Sequence, residues 1–394
     1  MREAVIVANL RTPVGKFRGG LAGASHSFLA AEVMKEAVKR AKINPAEIDE
    51  IFYGNLTGLW YNNMARYAAL EAGIPITVPA TSIDKQCGTS ITGAGLASIL
   101  IEAGQADCIL IGGVNQDTRR PWVFDKPDQP FPLAYPKPMP PQTSPPAFNE
   151  PNMLVTAENL AKEYNLSREV CDEYALNSHI KAAKATEAGY FKDTTLTLEI
   201  DLGRGKKSIV SKDETVRADT SLEALAKLPV VSGIEGGICT AGNSSPFSDG
   251  ASAAIIMEKS KAKAIGADIL ATIRGYAAVG VPPHIMGIGP AYAIEKLLKK
   301  VNKTLDDIDL FEINEAFASQ VLACAKKLGL DMAKLNVNGG AIALGHPLAA
   351  TGGILLAKMT SELKRQNLRY GVVSFCCGGG QGVAMLLENE EAGR

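Results

Sequence analysis

The order of elements near the start of this chain returns near its end, and that recurrence limits the folds open to it. Ala4 to Ala8 is a short apolar strand run, followed by a helical stretch around Phe28 to Ala41 and a strand run, Ile48 to Gly54. The segment around Cys87, a helix of small residues from Thr89 to Ala103 and the strand Ala106 to Ile111 complete the set. In the last third, Ile269 to Tyr276 reads as a strand, Ala291 to Val301 as a helix and Ile308 to Ile313 as a strand. A Gly-rich segment with His346, a helix from Thr351 to about Lys364 and the strand Gly371 to Cys377 then follow. Ile48-Asp49 and Ile308-Asp309 lie 260 positions apart, and Cys87 and His346 lie 259 apart. A duplicated half-fold is the simplest account, with Cys87 and His346 at equivalent turns.

Strands alternating with helices predict an α/β protein with parallel sheets covered by helices. The strand runs are almost wholly apolar, as strands buried on both faces are. Sites in such folds form beyond the carboxyl ends of the strands, which draws attention to Cys87, Asn314, His346 and Cys376. Between the halves lies a different region. Eleven of the chain's 21 prolines fall between Pro121 and Pro151, and proline there predicts irregular backbone. We read it as a binding or assembly element. Two helices follow, with Thr156 and Ser167 as candidate caps. The 394 residues suffice for two or more cores.

With 41 basic and 42 acidic side chains, the chain gives no reason to expect nucleic acid or an anionic membrane as the main partner. No apolar run is long enough to span a bilayer. The strand-like run beginning at Ala4 leaves no room for a targeting segment, so the expected location is the cytoplasm. Seven cysteines, an odd number without a C-x-x-C pair, argue against a disulfide framework or a zinc cage.

Cys87 precedes a helix expected to be capped by Thr89 or Ser90. A helix N-terminus favours the thiolate, the nucleophilic form; the competing reading is a buried structural cysteine. His346 sits between Gly345 and Pro347 in a fixed turn, and an imidazole is the usual partner of a reactive cysteine. Cys376 ends a strand and precedes Gly378-Gly379-Gly380, whose backbone can approach a ligand closely. The spacing does not match a dinucleotide loop. Asn314 opens an expected helix, Glu315 to Leu328, either as its cap or as a holder of a water or carbonyl.

Together these segments resemble the thiolase family. The likeness runs through Arg11-Thr12-Pro13-Val14-Gly15, the Cys87 segment, Thr156-Ala157-Glu158-Asn159, Ala241-Gly242-Asn243-Ser244-Ser245, Asn314-Glu315-Ala316-Phe317, Gly345-His346-Pro347 and Cys376 to Gly382. It implies a five-layered αβαβα core of two similar halves with an inserted loop domain. The expected halves are 1–117 with 248–267 and 268–394, and the loop domain is 118–247. It implies homodimers or homotetramers, and fatty-acid metabolism of the β-oxidation type, with acyl-CoA and 3-oxoacyl-CoA as substrates. No metal or redox cofactor is implied, and coenzyme A enters as substrate.

Carried over by motif, Cys87 is the acylated nucleophile, His346 its activator and Cys376 the proton shuttle. Asn314 would hold a water that forms one oxyanion hole with His346, and the N–H groups of Cys87 and Gly378 would form the other. Ser245, Met153, Arg217, Ala316 and Phe317 would hold coenzyme A. The chain departs from the family pattern at Asp84, Ser90, Asn152, Ala349 and Cys377. A methyl at position 349 is expected to narrow the acyl pocket. A ketoacyl-synthase-like condensing enzyme and a non-catalytic thiolase-fold scaffold stand as alternatives. Cys376 argues against the first and the intact residue set against the second.

Overall fold

The computed structural model describes residues 2–125, 136–139, 142–148 and 152–393. Much of the Pro-rich stretch therefore lies outside the described residues.

Along the chain run β1 (Ala4–Arg11), β2 (Gly15–Lys16), α1 (His26–Ala41), β3 (Glu50–Asn55), α2 (Met64–Glu71), β4 (Ala80–Ile83), α3 (Thr89–Glu102) and β5 (Cys108–Gln116). The intervening region contributes α4 (Met153–Glu163), α5 (Arg168–Glu187), a hairpin of β6 (Leu198–Gly203) and β7 (Lys206–Val210), and α6 (Leu222–Ala226). Then come β8 (Ser248–Glu258), α7 (Lys259–Ala264), β9 (Ala271–Gly280), α8 (Gly289–Lys300), β10 (Leu310–Ile313), α9 (Ala318–Leu328), α10 (Ala341–Leu344), α11 (Leu348–Gln366), β11 (Tyr370–Cys377) and β12 (Gln381–Glu388).

The main strands follow the order β10-β11-β12-β9-β1-β8-β5-β3-β4, with β2 beside β8. The middle junction is slender. β1 meets β9 only at Val5–Thr272 and Ile6–Ala271, and β1 then bulges between Ile6 and Ala8. The strands therefore fall into two half-sheets in matching order, β1-β8-β5-β3 and β9-β12-β11-β10. An isolated parallel bridge of Leu335 to Phe311 stands where β4 stands in the first half.

The duplication extends to single hydrogen bonds. Asp49 Oδ2 accepts from the backbone N–H groups of Asp107 (2.7 Å) and Cys108 (2.9 Å). Asp309 Oδ2 accepts from those of Arg369 (2.9 Å) and Tyr370 (2.8 Å). Each carboxylate sets the register of the next parallel pair.

Three apolar cores separate five layers. α1 and α2 pack on the outer face of the first half-sheet, and α8 and α9 on the outer face of the second. α3 and α11 lie between and pack on strands of both half-sheets, with Ile91, Ala94, Leu356 and Met359 in the middle core. Strand residues alternate between cores: on β12, Val383 and Met385 face the middle layer, while Ala384 and Leu386 face outward. Small residues let the central helices approach closely. A Cβ on Gly95 would lie 2.5 Å from the Tyr276 ring, and one on Gly352 would lie 2.5 Å from the Ile91 nitrogen.

Several local expectations need correction. Among the named strands, parallel pairing holds for β3–β4, β3–β5 and β10–β11, while β1, β8, β9 and β12 pair antiparallel with one another. β12 follows β11 through the tight Gly378–Gly380 turn, and a short turn returns the chain antiparallel. β8 enters the first half-sheet from the intervening region, between β1 and β5. α4 begins at Met153, because the Asn152 side chain accepts from Val155 N (3.1 Å), while the Thr156 hydroxyl turns back to Met153 O. α3 has no side-chain cap; Thr89 Oγ1 instead accepts from Lys85 N at 2.9 Å. Ser167 caps α5 as expected.

Candidate active site

Cys87 occupies a single 3-10 turn, Gln86–Gly88, at the entrance to α3. Gln86 holds the left-handed conformation, φ 51°, which costs a non-glycine residue on the order of 1–2 kcal/mol. Asp84 offsets this, since its Oδ1 accepts from Gln86 N at 2.7 Å. The turn runs directly into α3 at Thr89. It packs against the start of α11 on one side and the end of β11 on the other. Gly88 is obligatory there: a Cβ would lie 2.6 Å from Cys377 Sγ.

His346 stands before α11, three residues ahead of Ala349, as Cys87 stands three ahead of Ser90. The Ser90 hydroxyl donates to the Ala349 carbonyl, so the two helix starts touch at equivalent positions. Gly345 has φ 88°, and a Cβ there would strike Ser248 Oγ at 2.6 Å. The His346 N–H donates to that same Ser248 Oγ at 3.2 Å. His346 Nδ1 lies 2.7 Å from Thr351 Oγ1, and Nε2 lies 3.3 Å from Asn314 Nδ2. An amide nitrogen only donates, so Nε2 is the accepting nitrogen and the ring proton sits on Nδ1, toward Thr351.

Asn314 does not open a helix. α9 starts four residues later, at Ala318, and the Asn314 side chain goes to His346. Its N–H donates to Ser374 O, two residues before Cys376 (2.9 Å), while its Oδ1 is buried and makes no hydrogen bond to the described residues. Glu315, next along, fixes the loop leading to His346. It accepts from Tyr174, Ser178, Asn336 and the Ile342 N–H at 2.6–3.2 Å.

Cys376 is fully buried on the β11 face shared with Met286, Ala316 and Phe317, and Met153 packs against this cluster. Its neighbour Cys377 points to the opposite face, into the middle layer. Gly378 lies against Gln86: a Cβ on it would sit 3.4 Å from Gln86 Cγ.

Burial decides the charge states. It pushes the Cys87 thiol up to about 12, with a smaller push from Asp84 and Asp117. The Cys376 thiol is raised well above the ordinary range by burial and by the adjacent Cys87 sulfur. Burial lowers His346 to about 4. The sequence expectation of a thiolate held by the helix N-terminus is thus reversed: desolvation outweighs the dipole, and the resting site is uncharged.

Beside the site, Ser245 N donates to Ala316 O at 3.0 Å, and Ser244 bridges Phe317. A cleft of about 420 Å³ opens here, lined by Arg217, His179, Leu225, Leu228, Ala241, Gly242 and Pro246. His179 Nδ1 accepts from Arg217 N (3.1 Å), which holds that wall of the cleft.

Ala349 does not line the opening. It is fully buried, with its methyl near Gly54. Sequence reasoning missed Thr351, Ser248 and the Ser90–Ala349 contact; the only signal was that Ser90 and Ala349 share the 259-residue offset of Cys87 and His346.

Two family models, thiolase N-terminal domain and thiolase C-terminal domain, match residues 4–260 and 267–389. The chain belongs to the thiolase family. As a thiolase it is an acyltransferase that uses coenzyme A as substrate. It is 41% identical over 396 residues to a probable acetyl-CoA acetyltransferase of Escherichia coli (strain K12), covering 99% of this chain and 100% of that protein. It is 39% identical over 402 residues to a beta-ketoadipyl-CoA thiolase of Acinetobacter baylyi, covering 98% and 100%. Among solved structures, the Bacillus anthracis acetyl-CoA acetyltransferase superposes with TM-score 0.91 at 40% identity, covering 98% of this chain and 99% of that one. The human mitochondrial 3-ketoacyl-CoA thiolase in complex with CoA gives 0.90 at 37%, covering 98% of each. Neither a ketoacyl synthase nor a scaffold is favoured by these likenesses. No described helix of this thiolase is long and apolar enough to cross a membrane.

Acid should loosen this thiolase. Burial holds His26, His179 and His346 each at about 4, against about 6.5 unfolded. Between those values the unfolded chain binds protons that the folded one refuses. Stability is therefore lost as pH falls from about 6.5 toward 4, by up to about 1.4 kcal/mol per pH unit per histidine. Asp249, raised by burial to about 6, offsets part of this. The urea midpoint is expected to drop between pH 7 and pH 5; an unchanged midpoint refutes the assignment.

Proposed function

We propose that this thiolase transfers acyl groups reversibly through a thioester on Cys87. It either cleaves a 3-oxoacyl-CoA with coenzyme A or condenses an acyl-CoA with acetyl-CoA. The observation that carries this reading is the joint packing of the Cys87 turn on the helix that follows His346 and on β11, which carries Cys376.

Neutral His346 is a base: its unprotonated Nε2, which accepts from Asn314 Nδ2 at rest, has the lone pair that takes a proton. It takes the Cys87 proton as the sulfur attacks the thioester carbon, and the thiolate of coenzyme A leaves with the proton of Cys376, which makes Cys376 the base of the next step. The two charges form together, so each offsets the desolvation of the other. Cys376 then removes an α-proton from the bound acetyl thioester, and the resulting enolate carbon attacks the acyl carbon and displaces the Cys87 thiolate, which regains its proton from His346. The Cys87 sulfur raises the Cys376 thiol, so the two do not ionise at once, which suits a cycle in which they carry the anion in turn.

Each tetrahedral or enolate oxygen needs donors. Asn314, with its unpartnered Oδ1, would hold a water that donates alongside His346; the N–H groups of Cys87 and Gly378 would serve the other oxygen. Coenzyme A would lie along the cleft of Arg217, with Ser245, Met153, Ala316 and Phe317 about its pantetheine arm. We further assign 118–247 as the loop domain, between halves formed by 1–117 with 248–267 and by 268–394. A cytoplasmic homodimer or homotetramer working in fatty-acid β-oxidation fits this assignment.

Asn314→Ala is expected to lower kcat by about 10²–10³-fold, as loss of one oxyanion donor does, with an unchanged urea midpoint. Equal kcat would remove Asn314 from the reaction. The reading as a whole is tested by acetyl-CoA formation from acetoacetyl-CoA and from longer 3-oxoacyl-CoAs, with and without added coenzyme A. Thiolysis requires the added acceptor for turnover beyond the first acylation, and no turnover on any chain length would overturn it.

A further inference from the structure

A second cleft, of about 620 Å³, lies far from Cys87. It opens at the C-terminal ends of α1 and α11, while His346 precedes the N-terminal end of α11. Sixteen residues of helix separate Leu348 from Lys364, roughly 24 Å at 1.5 Å per residue.

The cleft exists because β1 loses its neighbour. Beyond Ile6 the strand parts from β9, and it is next met on that side when Arg11 N donates to Thr194 O. Val7, Ala8 and Asn9 line the gap between. Asn9 is 4% exposed, yet neither its Oδ1 nor its Nδ2 has a hydrogen-bond partner among the described residues. A buried amide left wholly unpaired is costly, and a ligand that completes it recovers that cost.

The rim is cationic. Lys39, Arg40, Lys42, Lys364 and Arg365 face Asp193 and Asp268. Arg40 and Lys39 are engaged by Glu36, and Arg365 by Glu362. Lys42 and Lys364 have no carboxylate partner among the described residues. Cations suit helix C-terminal ends, which accounts for some of this charge but not for two such ends meeting over an unpaired amide. The volume falls within the range of small-molecule sites.

We propose that this cleft is a second binding site, separate from the acyl-transfer centre, for a phosphate-bearing ligand of nucleotide size. The phosphates lie between Lys42 and Lys364, and a ring edge that presents a donor beside an acceptor pairs with Asn9. An asparagine amide matches such an edge on adenine, so ADP is the probe.

Calorimetric titration of the full chain with ADP is expected to show two sites per chain, one of them in the Arg217 cleft. The charge-reversing pair K42E/K364E, both on the surface, weakens one site at least tenfold and leaves the other. Inorganic pyrophosphate, which has no ring edge to pair with Asn9, binds the second site at least tenfold more weakly than ADP. Thiolysis of acetoacetyl-CoA without ADP is unchanged in the variant, which separates this test from that of the acyl-transfer reading. A single ADP site indifferent to K42E/K364E overturns the proposal, and so does pyrophosphate binding as tightly as ADP.

Discussion

Cys87→Ala is expected to abolish acyl-enzyme formation and to lower thiolysis by about 10⁴-fold or more, the scale of loss when a covalent nucleophile is removed. The thiol is half-buried in a turn whose shape comes from other groups: the left-handed Gln86, the Asp84 carboxylate and the close contact of Gly88 with Cys377. Removing one sulfur leaves all three in place, so the fold should survive. Intact-protein mass spectrometry after mixing with acetyl-CoA reads the adduct directly. A variant that still carries an acyl group, at an undiminished rate, would mean that another side chain is the nucleophile. Of the remaining thiols, Cys376 is the nearest rival, and it is fully enclosed.

Cys376→Ala separates the two half-reactions. The adduct on Cys87 should still form, while carbon–carbon bond making and breaking falls by about 10²–10⁴-fold, the usual contribution of a positioned acid or base. Cys377 offers no rescue, because successive residues of a strand face opposite ways and its sulfur lies in the middle core. Exchange of the acetyl-CoA methyl protons into deuterated water isolates the step. Wild-type protein should catalyse it and the variant should not. Exchange that persists in Cys376→Ala, at the wild-type rate, would assign the proton transfer elsewhere.

The repeat was visible in the sequence because register is written in local pairs: Ile48-Asp49 and Ile308-Asp309 mark the same two-pronged carboxylate bracket in each half. The seats of Cys87 and Cys376 were legible for a similar reason, each lying at the junction of an apolar run and a glycine-bearing turn. What escaped depends on groups far apart in the chain. The antiparallel centre of the sheets comes from β8, which arrives after the intervening region. α9 starts late because Asn314 is drawn to His346 across 32 positions. Motif residues such as Arg11 and Glu158 proved structural: buried Arg11 forks onto Asp213 at 2.6 and 2.8 Å, and Glu158 accepts from the Ile238 and Cys239 N–H groups. The charge state of Cys87 was misjudged because desolvation is a property of the packed site.

Cys87 belongs to the first half-fold, whereas Cys376 sits close to the end of the second, about 290 residues later. On a ribosome adding 5–20 residues per second, that interval lasts roughly 15–60 s. Throughout it the nascent chain carries a sulfur without the walls that later keep it protonated and shielded. Oxidants and stray electrophiles would find it far more reactive then than in the finished enzyme, so the vulnerable period for this protein is its own synthesis.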